Sequence, residues 1–332
     1  MNRRKSILYT AIFVLFLSTI AQTLFSLKGC YSTTLSRTFF AADTVCTITL
    51  YDSDEDTLDK AVELSNSLAD RFNCRDDSSE IGRLNKTGIC KNPSPELYEI
   101  INQGIHFSSL KNGLFDITVK PLSSSWDFKE NVMPSKDEIS AATKKVNYKN
   151  IKVYENSISL KNNAEIDLGA IAKGYIADKV SDFLVKNGVK SAIINLGGNI
   201  TTIGKRDGNN FTIGIQTPFN QGNIASISCG DTSVVTSGIY QRYFKKDGKI
   251  YHHLLSTKTG YPVQNSLHSV TIISPSATRA DALSTLCFLL GKDEGMKLVE
   301  ATDNTEAVFI DGSNKLHLSS GLKQSGNIIE IK

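Results

Sequence analysis

Apolar residues along this chain alternate singly in some stretches and recur every three or four positions in others. Residues 38–50, Thr-Phe-Phe-Ala-Ala-Asp-Thr-Val-Cys-Thr-Ile-Thr-Leu, settle into period-two alternation and predict a half-buried strand. Residues 56–72 place Leu58, Ala61, Val62, Leu68 and Phe72 at helical spacing. Residues 94–111 repeat that spacing behind a Ser-Pro-Glu start suited to a helix N-terminus. A polar helix is expected over 135–145, in an insertion after Trp126, and alternation returns over 151–160 with Glu155-Asn156 as the turn. Residues 164–187 read as a strand end passing through small residues into a helix. Residues 190–196 read as a buried strand opening onto Gly197-Gly198. Strands are expected at 211–216, 224–228, 233–236, 251–255 and 269–273, then helices at 277–291 and 293–300 and a closing pair of strands. No 20–50-residue repeat, low-complexity tract or interdomain linker breaks this order. Strands grouped with helices without strict alternation predict an α+β fold, with mixed or antiparallel sheets and flanking helices.

The first thirty residues change the picture. Met1-Asn-Arg-Arg-Lys5 is a basic run, and residues 7–21 are apolar apart from Tyr9, Thr10, Ser18 and Thr19. That run is shorter than the ~20 residues of a spanning helix, so it reads as an export signal. Leu27-Lys-Gly-Cys30 resembles a lipoprotein cleavage box, with Lys28 where a small or apolar residue is usual. A longer uncleaved anchor over 7–27 is the competing reading. Both tether the globular part to the outer side of the cell membrane, by lipid on Cys30 in the first. The chain therefore divides into a signal segment, 1–30, and one catalytic domain, 31–332.

Composition mainly excludes. A net charge of +3 over 332 residues, without a basic stripe carrying interleaved aromatics, argues against nucleic acid as a partner. Besides Cys30 there are Cys46, Cys74, Cys90, Cys229 and Cys287, an odd set without zinc spacing or a full disulfide framework. Cys46 and Cys287 fall in apolar patterns and read as buried thiols; a Cys74–Cys90 bridge stays open.

Chemistry concentrates in a few stretches. In the helix from Ala277, Asp281 and Thr285 stand one turn apart on one face. Either they share a hard cation, or the acid serves the helix start and the hydroxyl bonds back to its own backbone. Asp167-Leu-Gly-Ala-Ile-Ala-Lys-Gly174 sets a carboxylate at a strand end before small residues that let a ligand approach the backbone. Asn195-Leu-Gly-Gly-Asn199 has the same character, and neither is a dinucleotide or Walker fingerprint. On an alternating strand His252 and His253 face opposite ways, so one can serve structure while the other enters a cleft, with a plain hydrogen-bonded structural histidine as the alternative reading.

In order, Gly113-Leu-Phe-Asp-Ile-Thr-Val-Lys-Pro-Leu122, the 167–174 stretch, Asn195–Asn199, Ile213-Gly-Ile-Gln-Thr-Pro218, Thr236-Ser-Gly-Ile-Tyr240, His253 to Pro262 and Arg279-Ala-Asp-Ala-Leu-Ser-Thr285 resemble the FAD:protein FMN transferase (ApbE) family. The resemblance runs from about Phe39 to Gly291. It implies a T-fold-related architecture with FAD in a central cleft and a magnesium-dependent enzyme. That enzyme attaches FMN to a threonine of an exported acceptor flavoprotein, such as a membrane redox-pump subunit, and releases AMP. Residue by residue, it assigns the metal to Asp281, Thr285 and the Ala170 carbonyl, with Ser284 where some members carry a second acid. It assigns FAD contacts to Ala42, Leu114, Phe115, Asp116, Asp167, Lys173 and Leu255, and proton acceptance to His253. Ser256 replaces the usual aspartate near that histidine, so its orienting partner is left to the fold. An exported FAD pyrophosphatase and a non-enzymatic flavin-binding lipoprotein are the rival readings.

Overall fold

Eight strands form one antiparallel sheet whose spatial order follows the chain. They are β1 (Leu35–Ala41), β2 (Thr44–Leu50), β3 (Ser191–Leu196), β4 (Asn199–Gly204), β5 (Thr232–Gly238), β6 (Leu267–Ser274), β7 (Glu306–Asp311) and β8 (Leu316–Leu318). The structure is a computed structural model that describes residues 34–332; the signal segment and Cys30 lie outside the described residues. The connections between strands carry everything else. About 140 residues separate β2 from β3, and the β5–β6 connection carries both candidate histidines.

Both faces of the sheet are covered, which is why β6 is buried along almost its whole length. On one face lie two antiparallel helices, α1 (Ala172–Lys186) and α2 (Ala277–Leu290), whose Tyr175, Leu283 and Phe288 join Ile48, Ile194, Val235 and Ile272 in the main core. On the other face lies a four-stranded sheet of Phe211–Gln216, Asn223–Cys229, Leu322–Ser325 and Ile328–Ile331. Its Phe211, Ile213, Ile227 and Ile329 meet Val234, Ile273, Val308 and Ile310. One parallel pair, Ile328–Ile331 against Asn223–Cys229, makes that sheet mixed, as the α+β expectation allowed. A third core of Leu122, Trp126, Ile139, Phe244 and Leu255 lies under the hairpin Tyr243–Lys246 and Lys249–His252.

Chain direction fixes where a site can form. β1, β3 and β5 end on the same edge of the sheet at which β2, β4 and β6 begin. The turns Ala42-Asp43 and Gly197-Gly198 therefore lie there, together with Ser237-Gly238. α1 starts on that edge and α2 runs back toward it, so Lys173 and Thr285 belong to the same end. The turns touch: a Cβ on Gly197, at φ 64°, would sit 2.4 Å from Thr44 Oγ1.

Four local expectations change. Residues 38–50 are a hairpin instead of one strand, because alternation reports the pleat and not the reversal at Ala42-Asp43. Glu80–Thr87 forms a helix too short for periodicity to announce, capped by Ser79 and ended by Gly88 at φ 72°. The last strand of the 249–255 region stops at His252. Cys74 and Cys90 are free thiols, so no bridge joins them, whereas Cys46 and Cys287 are buried as expected. Among the described residues no helix is long and apolar enough to cross a membrane.

The β1–β2 turn holds Ala42 at φ 49° and Asp43 at φ 60°, the left-handed pair of a two-residue hairpin. Alanine is strained there by about 1 kcal/mol. Ala42→Gly is expected to raise the thermal midpoint by roughly 2 °C, read by calorimetry; a fall would show the turn is not strained.

Candidate active site

The start of α1 and the middle of α2 approach unusually closely. A Cβ on Gly174 would lie 2.3 Å from the Ala277 carbonyl oxygen and 2.8 Å from Asp281 Cβ, so only glycine fits. That approach lets the Gly174 amide donate to Asp281 Oδ2 at 2.9 Å. In an uninterrupted helix this amide would serve the Ala170 carbonyl. It does not, and no other donor among the described residues reaches that carbonyl. Asp281 Oδ1 likewise meets no protein donor among the described residues.

One turn along α2, Thr285 Oγ1 lies 3.1 Å from Ser237 Oγ at the end of β5. The Ala170 carbonyl, Asp281 Oδ1 and Thr285 Oγ1 are oxygens of the type a hard cation such as Mg²⁺ takes, with phosphates and water completing its shell. Among the described residues no cluster of three or more His, Cys, Asp and Glu offers an alternative metal site. The residues present fit the cation.

Ser284 departs from its assignment. It is fully buried, bonded to Ser237 Oγ at 2.8 Å and donating to the Asp281 carbonyl at 2.9 Å, so it stands behind the ligands instead of among them. The back-bonding that sequence alone left open for Thr285 belongs to Ser284. Nor does Asp281 cap α2. Ser276 and Asp178 do so, Asp178 Oδ1 accepting from the Ala277 amide at 2.7 Å and Oδ2 from the Thr278 amide at 3.0 Å. Asp178 escaped the sequence reading because its partners are about a hundred residues away.

His252 and His253 separate as the strand predicts. His252 is buried, its ring edge-on to Phe288 on α2 at 5.8 Å between centroids. Its Nδ1 accepts from the Leu254 amide, so Nε2 carries the proton and donates to the Val263 carbonyl at 3.0 Å. Burial pushes its pKa down to about 4. His253 is half-buried, and its Nδ1 donates to the Arg242 carbonyl at 3.3 Å, leaving Nε2 with the lone pair. Loss of hydration and then the Arg242 charge, with a smaller push from Lys173, hold its pKa below the usual histidine value. A half-exposed ring keeps part of its hydration, so the depression is milder than for a sealed one. The Arg242 carbonyl therefore does the orienting that sequence left unassigned. Ser256 instead caps its own turn through the Lys258 and Thr259 amides, at 3.3 Å each.

The charge of Lys173 acts to lower the pKa of both His253 and Cys46, as the smallest of the causes at each. Its Nζ donates to the Gly169 carbonyl at 3.3 Å. Asp167 holds the same turn, Oδ1 accepting from the Gly169 amide and Oδ2 from the Ser123 hydroxyl, both at 2.8 Å.

The 113–118 loop is stitched from within. Asp116 accepts from the amides of Thr118 and Tyr148 at 2.8 Å each and from the Thr118 hydroxyl at 2.7 Å, and burial raises its pKa. Phe115 packs on Phe107 in the core. Of the three loop residues assigned to FAD, Leu114 is half-buried and Phe115 and Asp116 are buried. Leu255 is also buried, in the third core, while Ala42 is exposed on its turn at the site edge. Thr257 Oγ1 donates to the Gly113 carbonyl at 2.7 Å, tying this loop to the histidine segment. Asn199, missed as a candidate in its own right, is buried with neither amide atom bonded to protein among the described residues. A group in that state calls for a water or a ligand.

The sequence profile described as the ApbE family matches residues 42–309. A protein of Klebsiella pneumoniae (strain 342) named FAD:protein FMN transferase is 34% identical over 281 residues, 82% of this chain and 87% of the relative. One of the same name from Vibrio cholerae is 30% identical over 286 residues, 82% and 85% of the two chains. The crystal structure of the ApbE protein from Thermotoga maritima superposes with a TM-score of 0.80 at 31% identity, covering 87% of this chain and 97% of that one. The flavin transferase ApbE from Vibrio cholerae gives 0.78 at 26%, covering 87% and 97%. Fold, site and relatives make this chain a transferase. It belongs to the ApbE family.

The buried neutral His252 has a consequence for stability. Its pKa is about 4 when folded and near 6.5 when unfolded, so only the unfolded chain gains this proton as pH falls through 6.5. Its contribution is intact above pH 6.5, is lost progressively down to about 4, and levels off below that. His252→Asn is expected to be less stable at pH 7.5 yet to lose less stability between pH 6.5 and 4.5 than wild type, measured by urea titration. Parallel pH profiles would contradict this.

Proposed function

We propose that the protein is an FAD:protein FMN transferase that moves FMN from FAD to a threonine of an acceptor flavoprotein and releases AMP. The observation that carries this is the pair of freed oxygens at the α1–α2 contact. Asp281 takes the Gly174 amide, and the Ala170 carbonyl and Asp281 Oδ1 are left to a cation beside Thr285. Asp281, Thr285 and the Ala170 carbonyl would hold a Mg²⁺ that, when bound, would offset the charge of the FAD pyrophosphate and polarise the phosphorus on the FMN side. The glycine- and alanine-rich 167–174 turn lets the dinucleotide come close to the backbone, and Lys173 supplies a cation at its start.

His253 moves the proton. Its Nδ1 is held by the Arg242 carbonyl, so Nε2 accepts the proton of the threonine hydroxyl as that oxygen attacks the FMN phosphorus. A P–O bond to the acceptor forms, the P–O bond to the AMP phosphate breaks, and AMP leaves with the bridging oxygen. The proton passes on to the departing phosphate or to water. Loss of hydration, and after it the Arg242 charge, lower the histidine pKa and keep the ring neutral and able to accept at neutral pH. The acceptor belongs to the exported proteins, and the chain works tethered at the outer membrane surface through Cys30. The basic run, apolar run and cleavage box at 1–30 support that placement.

The test is covalent flavin fluorescence on an acceptor protein after denaturing electrophoresis, with FAD and Mg²⁺ supplied. Wild type is expected to label the acceptor. His253→Ala is expected to label it at least ~100-fold more slowly while binding FAD within about tenfold of wild type. Release of free FMN without acceptor labelling would make the protein a hydrolase instead. Undiminished labelling by the variant would remove His253 from the reaction.

A further inference from the structure

Three hydroxyl groups stand in line behind the candidate metal ligands. Thr285 Oγ1 is 3.1 Å from Ser237 Oγ, Ser237 Oγ is 2.8 Å from Ser284 Oγ, and Ser284 Oγ is 2.9 Å from the Asp281 carbonyl oxygen. The inner two are sealed: Ser284 is fully buried and Ser237 is 8% exposed, so water does not compete for their protons. Each hydroxyl has one proton to give. A carbonyl only accepts, so the Ser284 proton is committed to Asp281. Ser284 can then only accept from Ser237, which commits the Ser237 proton in turn. Ser237 is left as an acceptor toward Thr285. The direction of every hydrogen bond is set from the buried end outward.

From this we infer that Ser237 is a positioning residue for the metal ligand Thr285. It takes the Thr285 proton inward, so that the lone pairs of Thr285 Oγ1 face the cation. A serine or threonine hydroxyl free to rotate presents its proton to an approaching cation in part of its orientations and must be reoriented on binding. Here the orientation is built in before the metal arrives. The device also gives a role to Ser284. With no second acid at this position, the site relies on a neutral oxygen aimed correctly, and Ser284 anchors the aim to the α2 backbone. The chain Thr285–Ser237–Ser284–Asp281 carbonyl returns to the residue whose carboxylate faces the same cation. β5 and α2 are thereby locked in register at the site, beyond the apolar packing between them.

This inference rests on the metal reading of Asp281 and Thr285, and the experiment separates the two. The probe is Mg²⁺ alone, titrated into the purified protein saturated with FAD, with the metal-dependent rise in thermal midpoint and the heat of binding as readouts. Wild type, Ser237→Ala, Ser284→Ala, Thr285→Ala and the double variant Ser237→Ala/Thr285→Ala are compared. Losing one oriented neutral hydrogen bond is expected to weaken Mg²⁺ binding by about fivefold in Ser237→Ala. Ser284→Ala is expected to do the same, because the freed Ser237 proton can then turn toward Thr285. FAD affinity without metal should stay as in wild type for both. The deciding comparison is the double variant. It should bind Mg²⁺ no more weakly than Thr285→Ala alone, because Ser237 acts only through that hydroxyl. Additive losses, or Ser237→Ala binding Mg²⁺ as tightly as wild type, would overturn the hydroxyl chain while leaving the metal site standing. A wild-type protein that shows no Mg²⁺ response would overturn both.

Discussion

The hydrogen bond from the Gly174 amide to Asp281 Oδ2 is the constraint on which the site depends. It exists because two helices from different connections of the main sheet, α1 between β2 and β3 and α2 between β6 and β7, meet with no side chain between them, and Gly174 is the residue that makes the meeting possible. The bond fixes one carboxylate oxygen and turns the other free. It also takes an amide away from the start of α1 and leaves the Ala170 carbonyl without a helical partner. Two oxygens without a protein donor among the described residues, 111 positions apart in the chain, are thus produced by one contact. Replacing glycine with any other residue would push α1 off α2 and undo both effects together.

Around that contact, the fold supplies support in layers. The antiparallel order of the main sheet brings two turns and the end of β5 to one edge, and the direction of α1 and α2 brings their relevant turns to the same edge. Asp178 caps α2 one turn away, so the helix pair is pinned at two points, Asp178 to Ala277 and Gly174 to Asp281. Ser237 and Ser284 then tie α2 to the sheet. On the other side of the site, Asp116 ties the 113–118 loop to the Tyr148 amide, and Thr257 ties the same loop to the segment that carries His253. Polar groups near the site are therefore mostly spent on one another, and those that remain unspent identify themselves by that fact.

Much of this was legible from the sequence, and what was not has a physical reason. The strands, the two long helices and the opposite facing of His252 and His253 follow from periodicity, which is local. The candidate pair Asp281 and Thr285 follows from helical spacing, also local. The division of labour among neighbours was not legible. Ser284 and Thr285 are adjacent hydroxyls, and only the position of β5 decides that one faces inward and the other faces the site. Phe115, Asp116 and Leu255 look like ligand contacts by motif, and their burial by tertiary packing was not legible there. The partner of His253 is a backbone carbonyl, Arg242, which no side-chain pattern could reveal. The reversal at Ala42-Asp43 was hidden because neither residue is the glycine or asparagine that usually marks such a turn.

The central claim is that Asp281 performs two separable tasks, accepting the Gly174 amide with one oxygen and meeting a divalent cation with the other. Asp281→Asn divides them, since a carboxamide keeps an oxygen for the amide and loses the charge for the metal. The direct measurement is Mg²⁺ affinity of the FAD-bound variant, together with its metal-free thermal midpoint. The account predicts a midpoint close to that of wild type and Mg²⁺ binding weakened by at least about tenfold, because a neutral amide is a poor ligand for a hard cation. Wild-type Mg²⁺ affinity in this variant would contradict it.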